Sequence, residues 1–182
     1  MAVRAAINGF GRIGRLVLRA IIESGRRDIE VVAVNDLGPA KTNAHLLKYD
    51  SVHGTLAHNV RVKDEAIVVG RKPIAVTAER NPKKLPWKKY KIDVALECTG
   101  HFTDRDSAAQ LLDAGAKRVL ISAPAKGADI TVCYGINHDR ITRKHRVISN
   151  ASCTTNCLAP VADVLNKLVG IERGFMTTIH AY

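Results

Sequence analysis

"NGFGRIG" (residues 8–14) sets glycines at positions 9, 11 and 14, and what it means depends on its flanks. Before it, "VRAAING" (3–9) is a short apolar run ending at glycine, which predicts a buried strand. After it, "RIGRLVLRAIIES" (12–24) carries Ile13, Leu16, Val17, Ala20 and Ile21 at helical spacing, and Gly25 stops the pattern. "IEVVAVND" (29–36) is β-branched and reads as a second strand. Strand, helix and strand over so short a span predict a βαβ unit with parallel strands.

A lone GxGxxG says little, but this one follows a strand, opens a helix and has Asp36 waiting after the next strand, the context of a dinucleotide fingerprint. In that reading Gly9 permits the tight turn, Gly11 lets backbone approach a pyrophosphate, and Gly14 allows close helix packing. The free N–H groups of the helix start receive the phosphates. Asp36 accepts hydrogen bonds from the adenosine ribose. A 2′-phosphate there would meet a like charge, a repulsion of about 4 kcal/mol at ~4 Å and an effective dielectric near 20, so NAD is expected over NADP. The competing reading is an ordinary tight turn beside a loop aspartate.

The alternation continues along the chain. "NAHLLKY" (43–49) predicts a helix, and "EAIVVGRKPIAV" (65–76) a hairpin turning near Gly70. "KIDVALECTG" (91–100), "KRVLISAP" (117–124), "DITVCYG" (129–135) and "RVISNAS" (146–152) predict strands. "DRDSAAQLLDAGA" (104–116) predicts a helix capped by Asp104. "CTTNCLAPVADVLNKLVG" (153–170) predicts a long helix closed by Gly170, with Pro160 kinking it or marking a second start. "GFMTTIHAY" (174–182) predicts a further strand. The fold class expected is α/β: a doubly wound Rossmann-type domain over 1–152, then the start of an α+β domain over 153–182.

The four cysteines are 98, 133, 153 and 157. So few, in a chain whose start lacks the features of a secretory signal, argue against a disulfide framework. With no second CxxC or HxxxH pair to complete a ligand set, no metal site is expected. A helix beginning at residue 153 puts Cys153 where the helix field favours an anion, the place for a reactive thiol. His180, ending "TTIH", is the partner nominated for it, against the alternative of a satisfied core histidine. Cys157, one turn further, reads as a packing residue, as do Cys98 and Cys133 in strands.

An apolar share of 46% provides for a sizeable core, and no apolar run is long enough to span a membrane. A cytoplasmic protein is expected. The net charge of +11 raises nucleic acid as a partner. Its clusters "KKLPWKKYK" (83–91) and "RKHR" (143–146) lack interleaved stacking aromatics, so solvated faces and phosphorylated small molecules are the preferred explanation.

Taken together, "INGFGRIGR" (7–15), "KYDSVHG" (48–54), "ECTG" (97–100), "SAPAKG" (122–127), "SNASCTTNCLAP" (149–160) and "TTIHAY" (177–182) strongly resemble the phosphorylating glyceraldehyde-3-phosphate dehydrogenase family, in the family's order from residue 3 to 182. The cysteine segment is the specific one. The resemblance implies oxidative phosphorylation of glyceraldehyde 3-phosphate to 1,3-bisphosphoglycerate with NAD, in glycolysis. Cys153 forms the thiohemiacetal and then the acyl thioester that inorganic phosphate cleaves, and His180 acts as acid and base. It implies substrate or phosphate contacts at Ser152 and Thr154, and pyrophosphate-binding backbone at Arg12 and Ile13. It places Asp36 on the ribose, Arg80 near the adenine, Ser122 near the nicotinamide, and Thr99 and Phe102 on the cleft rim. Arg80 as a solvated loop charge, Ser122 as a strand-end cap and Thr154 as a first-turn residue stay open as alternatives. Erythrose-4-phosphate dehydrogenase shares the motif, and "SAPA" favours the glyceraldehyde enzyme. Family members continue for roughly as many residues again and form homotetramers. The expectation is therefore an N-terminal portion with most of the NAD site, and a truncated NAD-binding fragment without turnover is the alternative.

Overall fold

The computed structural model describes residues 2–180. At its centre is β1 (Val3–Asn8), whose residues from Ala5 onward are buried. Ala5 and Ile7 point to one face of the sheet and Ala6 to the other, and each joins a different hydrophobic cluster. That alternation between two apolar faces marks a strand covered on both sides.

Helix α1 (Arg12–Glu23) returns the chain to β2 (Ile29–Asn35), which pairs with β1 in parallel. Helix α2 (Ala40–Lys48) follows, then a small hairpin of β3 (Tyr49–Asp50) and β4 (Gly54–Thr55). Next come β5 (Val60–Lys63), β6 (Ala66–Val69) and β7 (Lys72–Thr77), antiparallel to one another in turn. A short α3 (Trp87–Tyr90) leads to β8 (Val94–Glu97), α4 (Arg105–Asp113) and β9 (Arg118–Ile121). β10 (Ile130–Thr131), β11 (Val147–Ser149) and α5 (Cys153–Val169) complete the order. The large sheet runs β10-β11-β9-β8-β1-β2-β7-β6-β5. All neighbours from β10 to β7 are parallel. Leaving aside the edge strand β10 and the antiparallel β5 and β6, the crossover strands stand in the doubly wound order 3-2-1-4-5-6, which reverses direction beside β1. The expected fold class is therefore what forms.

Core residues of α1 and α2 (Leu18, Ala44, Leu47) cover one face, and those of α3 and α4 (Trp87, Ala108, Leu111) the other. The stripe expected on α1 is turned. Gly14, Leu18 and Arg19 are buried, while Ile13 is half exposed and Ala20 faces out. A Cβ on Gly14 would overlap the Gly9 carbonyl oxygen, so that glycine must face the sheet, and Leu18 follows one turn on. Backbone contact, not the count of apolar residues, sets the helix's rotation.

Asp104 caps α4 as expected, its carboxylate accepting from Ser107 N at 2.9 Å. The hairpin turning at Gly70 also forms. β5 escapes the sequence reading because its turn, Asp64–Glu65, puts two non-glycine residues at φ 48° and 59°, a conformation for which Asn-Gly is the usual signal. The "KKLPWKKYK" cluster hides two core residues, Leu85 and Trp87, while its lysines face out.

Several expected strands fall short, that over 146–152 being strand only at Val147–Ser149. Residues 174–180 form no strand, because strand backbone needs a neighbour and among the described residues none lies beside them; the rest of that expected strand, 181–182, lies outside the described residues. In 129–135 only Ile130–Thr131 is strand. α5 runs through Pro160 as one helix, so no second start occurs there. Among the described residues no helix is long and apolar enough to cross a membrane.

Two outcomes test this packing. Trp87 has no exposed surface, so Trp87→Ala should cost about 3–5 kcal/mol in a denaturant titration. Asp129 accepts from Arg146 N at 2.7 Å and Val147 N at 2.9 Å, and pairs with Arg105 at 2.8 Å. Burial alone would raise its carboxyl, but those donors outweigh it and hold it at about 2. A depressed carboxyl contributes stability above its unfolded value, near 3.9, and loses it as pH falls toward the folded one. Melting followed from pH 5 to pH 2 should therefore show an acid-side decline that Asp129→Asn flattens.

Candidate functional site

A cleft of about 410 Å³ opens at the carboxyl ends of β1, β2 and β8, beside the point where strand order reverses. Its lining includes Asn8, Gly9, Gly11, Asp36, Arg80, Thr99 and Phe102. The glycine turn forms one wall, and its three glycines are there for different reasons. Gly9 has φ +87°, and a Cβ on it would sit 2.6 Å from Thr99 N, so the turn is pressed against the end of β8. Gly14 packs on Gly9 itself. A Cβ on Gly11 would meet nothing within 4 Å: this glycine faces open space, which is what a closely approaching ligand requires.

Asp36 closes the second wall. It accepts from Phe10 N at 2.9 Å and Gly38 N at 2.8 Å, which ties the end of β2 to the glycine turn. Arg12 opens α1 and turns its guanidinium to Asp50 at 3.1 Å, leaving its backbone at the helix start. Asp50 is itself held by Val52 N and His53 N, and these donors keep its carboxyl well below the usual carboxylate range. Buried Arg19 completes the brace by donating to His53 O and Gly54 O at 3.3 and 3.0 Å. Arg80 is exposed and has no salt bridge among the described residues, so its charge is available at the cleft mouth.

Beneath the cleft lies a set of polar side chains that the sequence reading does not single out: Asn8, Asn35 and Glu97, all buried. Burial pushes the Glu97 carboxyl up, against the pull of donors on Thr99 and Asn8. The only signal in the sequence is their position at strand ends, immediately before the motif residues. On the far side of β8, Ser122 N donates to Glu97 O at 3.0 Å and stands next to the Cys98 thiol. Burial pushes that thiol up to about 11.

Ser152 caps α5, its hydroxyl oxygen accepting from Thr155 N at 2.9 Å. Cys153 is thus the first residue of the helix and exposed, with Thr154 half-buried beside it. The turn before it is strained, with Ala151 at φ +58°. Asn150 N donates to Ile121 O at 2.9 Å, so the helix starts on the same carboxyl edge as the cleft. β11 is two strand positions from β8, roughly 10 Å. No hydrogen bond joins His180 to Cys153 among the described residues. The only hydrogen-bond partner of His180 among them is Thr178, at 3.4 Å. Cys157 is exposed, contrary to the packing role expected, because no residue of α5 is fully buried. Cys98 is half-buried and Cys133 buried. No cluster of His, Cys, Asp and Glu suited to a metal occurs among the described residues.

Residues 3–105 match the family model described as glyceraldehyde 3-phosphate dehydrogenase, NAD binding domain, and residues 152–182 match that family's C-terminal domain. The chain belongs to the glyceraldehyde 3-phosphate dehydrogenase family. It is 70% identical over 182 residues to the glyceraldehyde-3-phosphate dehydrogenase of Xanthobacter flavus, covering all of this chain and 54% of that protein. Its identity is 63% to the enzyme of Cereibacter sphaeroides and 58% to that of Geobacillus stearothermophilus, with all of this chain and 54% of each relative covered. The chain thus spans about half the length of the curated relatives it matches.

The exposures predict a thiol pattern. Brief alkylation at neutral pH, mapped by mass spectrometry, should label Cys153 and Cys157 and spare Cys98 and Cys133. Labelling of Cys98 as fast as Cys153 would contradict the burial described.

Proposed function

We propose that this chain carries the NAD site and the nucleophile of a phosphorylating glyceraldehyde-3-phosphate dehydrogenase, with residues 1–152 as the cofactor domain and 153–182 as the start of the catalytic one. The observation that carries the reading is the shared edge. A cleft walled by the glycine turn and Asp36 and a cysteine at a helix start both lie at the carboxyl ends of one parallel sheet.

The residues fit NAD. Gly11 leaves room for the pyrophosphate, and the start of α1 offers N–H groups and a favourable field. Ile13 presents only backbone there, its side chain being turned outward. Asp36 takes the ribose hydroxyls and opposes a 2′-phosphate, and Arg80 sits toward the adenine. Thr99 and Phe102 line the rim, and Ser122 adjoins the nicotinamide end. Bound NAD supplies the hydride acceptor.

Cys153 attacks the aldehyde carbon of glyceraldehyde 3-phosphate, forming a C–S bond and a thiohemiacetal. Loss of hydride from that carbon and of the hydroxyl proton to His180 leaves an acyl thioester. Inorganic phosphate then displaces the thiolate and gives an acyl phosphate. Ser152 and Thr154 contact substrate or phosphate. The role of His180 requires segment 174–180 to pack against the start of α5. A homotetramer in the cytoplasm belongs to the same proposal, on family membership.

The test is NADH formation with glyceraldehyde 3-phosphate, NAD and phosphate, with Cys153→Ser as control and erythrose 4-phosphate as competing substrate. Turnover abolished by Cys153→Ser supports the dehydrogenase. NAD binding without turnover would reduce the chain to a cofactor module. Gly11→Ala should keep the wild-type melting temperature, since its Cβ meets nothing, yet weaken NAD binding about tenfold or more.

A further inference from the structure

Four strand ends meet under the cleft, and one chain of side chains joins them. Asn35 lies at its far end. Its Oδ1 accepts from Thr77 Oγ1 at 2.8 Å and Glu79 N at 2.9 Å, and its Nδ2 donates to Glu79 O at 2.9 Å and Asn8 Oδ1 at 2.8 Å. Asn8 Nδ2 then donates to Glu97 Oε2 at 2.7 Å. The other carboxylate oxygen, Oε1, accepts from Thr99 N at 2.8 Å and from the Thr99 hydroxyl. The turns after β7, β2, β1 and β8 are thereby tied in series, all of them cleft-lining.

The chain has a direction. A backbone N–H only donates and a backbone carbonyl only accepts, so Glu79 dictates which way the Asn35 amide faces. Asn35 in turn presents a donor to Asn8, which must receive it on oxygen and offer its own NH₂ to residue 97. At the other end Thr99 N also donates to residue 97. That residue must therefore accept on both terminal atoms. A carboxyl group, ionised or protonated, can do so, and an amide cannot. Glutamine of the same shape leaves two buried donors facing each other, whichever way it is turned.

We propose that Glu97 is a positioning residue of the dinucleotide cleft, whose two acceptor oxygens set the polarity of the Asn35–Asn8–Glu97–Thr99 chain and hold the turns of the cleft in register. The inference deepens the NAD reading above and rests on it for the ligand. Because the direction matters more than the charge's location, exchanging the two groups should restore the match. In the double variant Glu97→Gln/Asn8→Asp, the amide at position 97 accepts from Thr99 N and donates to the carboxylate at position 8. That carboxylate accepts from Asn35 as well, so the series of hydrogen bonds is kept and the charge is conserved.

The experiment is a double-mutant cycle on the full chain, with NAD titrated calorimetrically and amide exchange followed at Glu79 N–H. Glu97→Gln should weaken NAD binding about tenfold, the consequence of one unmatched buried donor. Asn8→Asp should also weaken it, by facing two carboxylates. The pair Glu97→Gln/Asn8→Asp should recover most of the affinity. Exchange at Glu79, at the opposite end of the chain from residue 97, should rise in each single variant and fall again in the double. A purely local structural role for Glu97 would not move that amide. Folding of the double variant where a single one fails also supports the proposal. Wild-type affinity in Glu97→Gln, or a double variant as weak as the worse single one, would overturn it. If the wild-type chain binds no NAD while Glu79 exchange still follows the cycle, the cofactor reading fails and the tie between turns stands.

Discussion

The contact between Gly9 and the backbone of Thr99 leaves no volume for a side chain, and most of the structure follows from that closeness. The first strand ends in a turn pressed on the fourth crossover strand's exit. That turn's carbonyl in turn touches Gly14 and fixes how α1 is rotated on the sheet. Leu18 is buried and Ile13 exposed as a consequence, although the stripe expected from the sequence included Ile13 and left out Leu18. Close packing at one backbone crossing thus selects the helix face, orients the free N–H groups of its first turn and opens the cleft beside them.

Around this crossing, polar groups do what apolar packing cannot. Strand ends at a switch point diverge, and the backbone donors and acceptors released there need partners that hydrocarbon side chains do not supply. Asn8, Asn35 and Glu97 fill the space with directional bonds, and Asp36 and Asp50 fasten the two flanking loops through backbone N–H groups. Each carboxyl group accepts from several donors, which stiffens the site, and Arg12 is drawn aside by Asp50. What faces the cleft includes backbone, the Arg80 cation and the rim residues Thr99 and Phe102.

Much of this is legible in the sequence. The βαβ unit, the glycine turn, the Asp104 cap, the Gly70 hairpin and the helix beginning at Cys153 each have local causes: period, capping chemistry, or a backbone shape only certain residues adopt. β5 is hidden because its turn uses Asp64 and Glu65 in left-handed conformations, contrary to local preference. Trp87 is hidden among lysines. Cys157 reads as core from the apolar residues around it, yet Leu158, Val161, Leu165 and Leu168 on the same helix are exposed too. An apolar stripe reports what a helix can bury, and only the presence of a second surface decides whether it does.

By itself the sequence determined the class of fold and the chemistry on offer: alternating strands and helices, a glycine turn at a helix start, an acid at the end of the second strand, a thiol opening a helix. Those are properties of short segments, and short-range sterics and hydrogen bonding settle them. Tertiary structure alone decided the burial of Arg19 and the tie from Thr77 through Asn35 and Asn8 to Glu97. Both join residues far apart in the chain, and no local rule states which strand ends will lie side by side until the sheet order is formed.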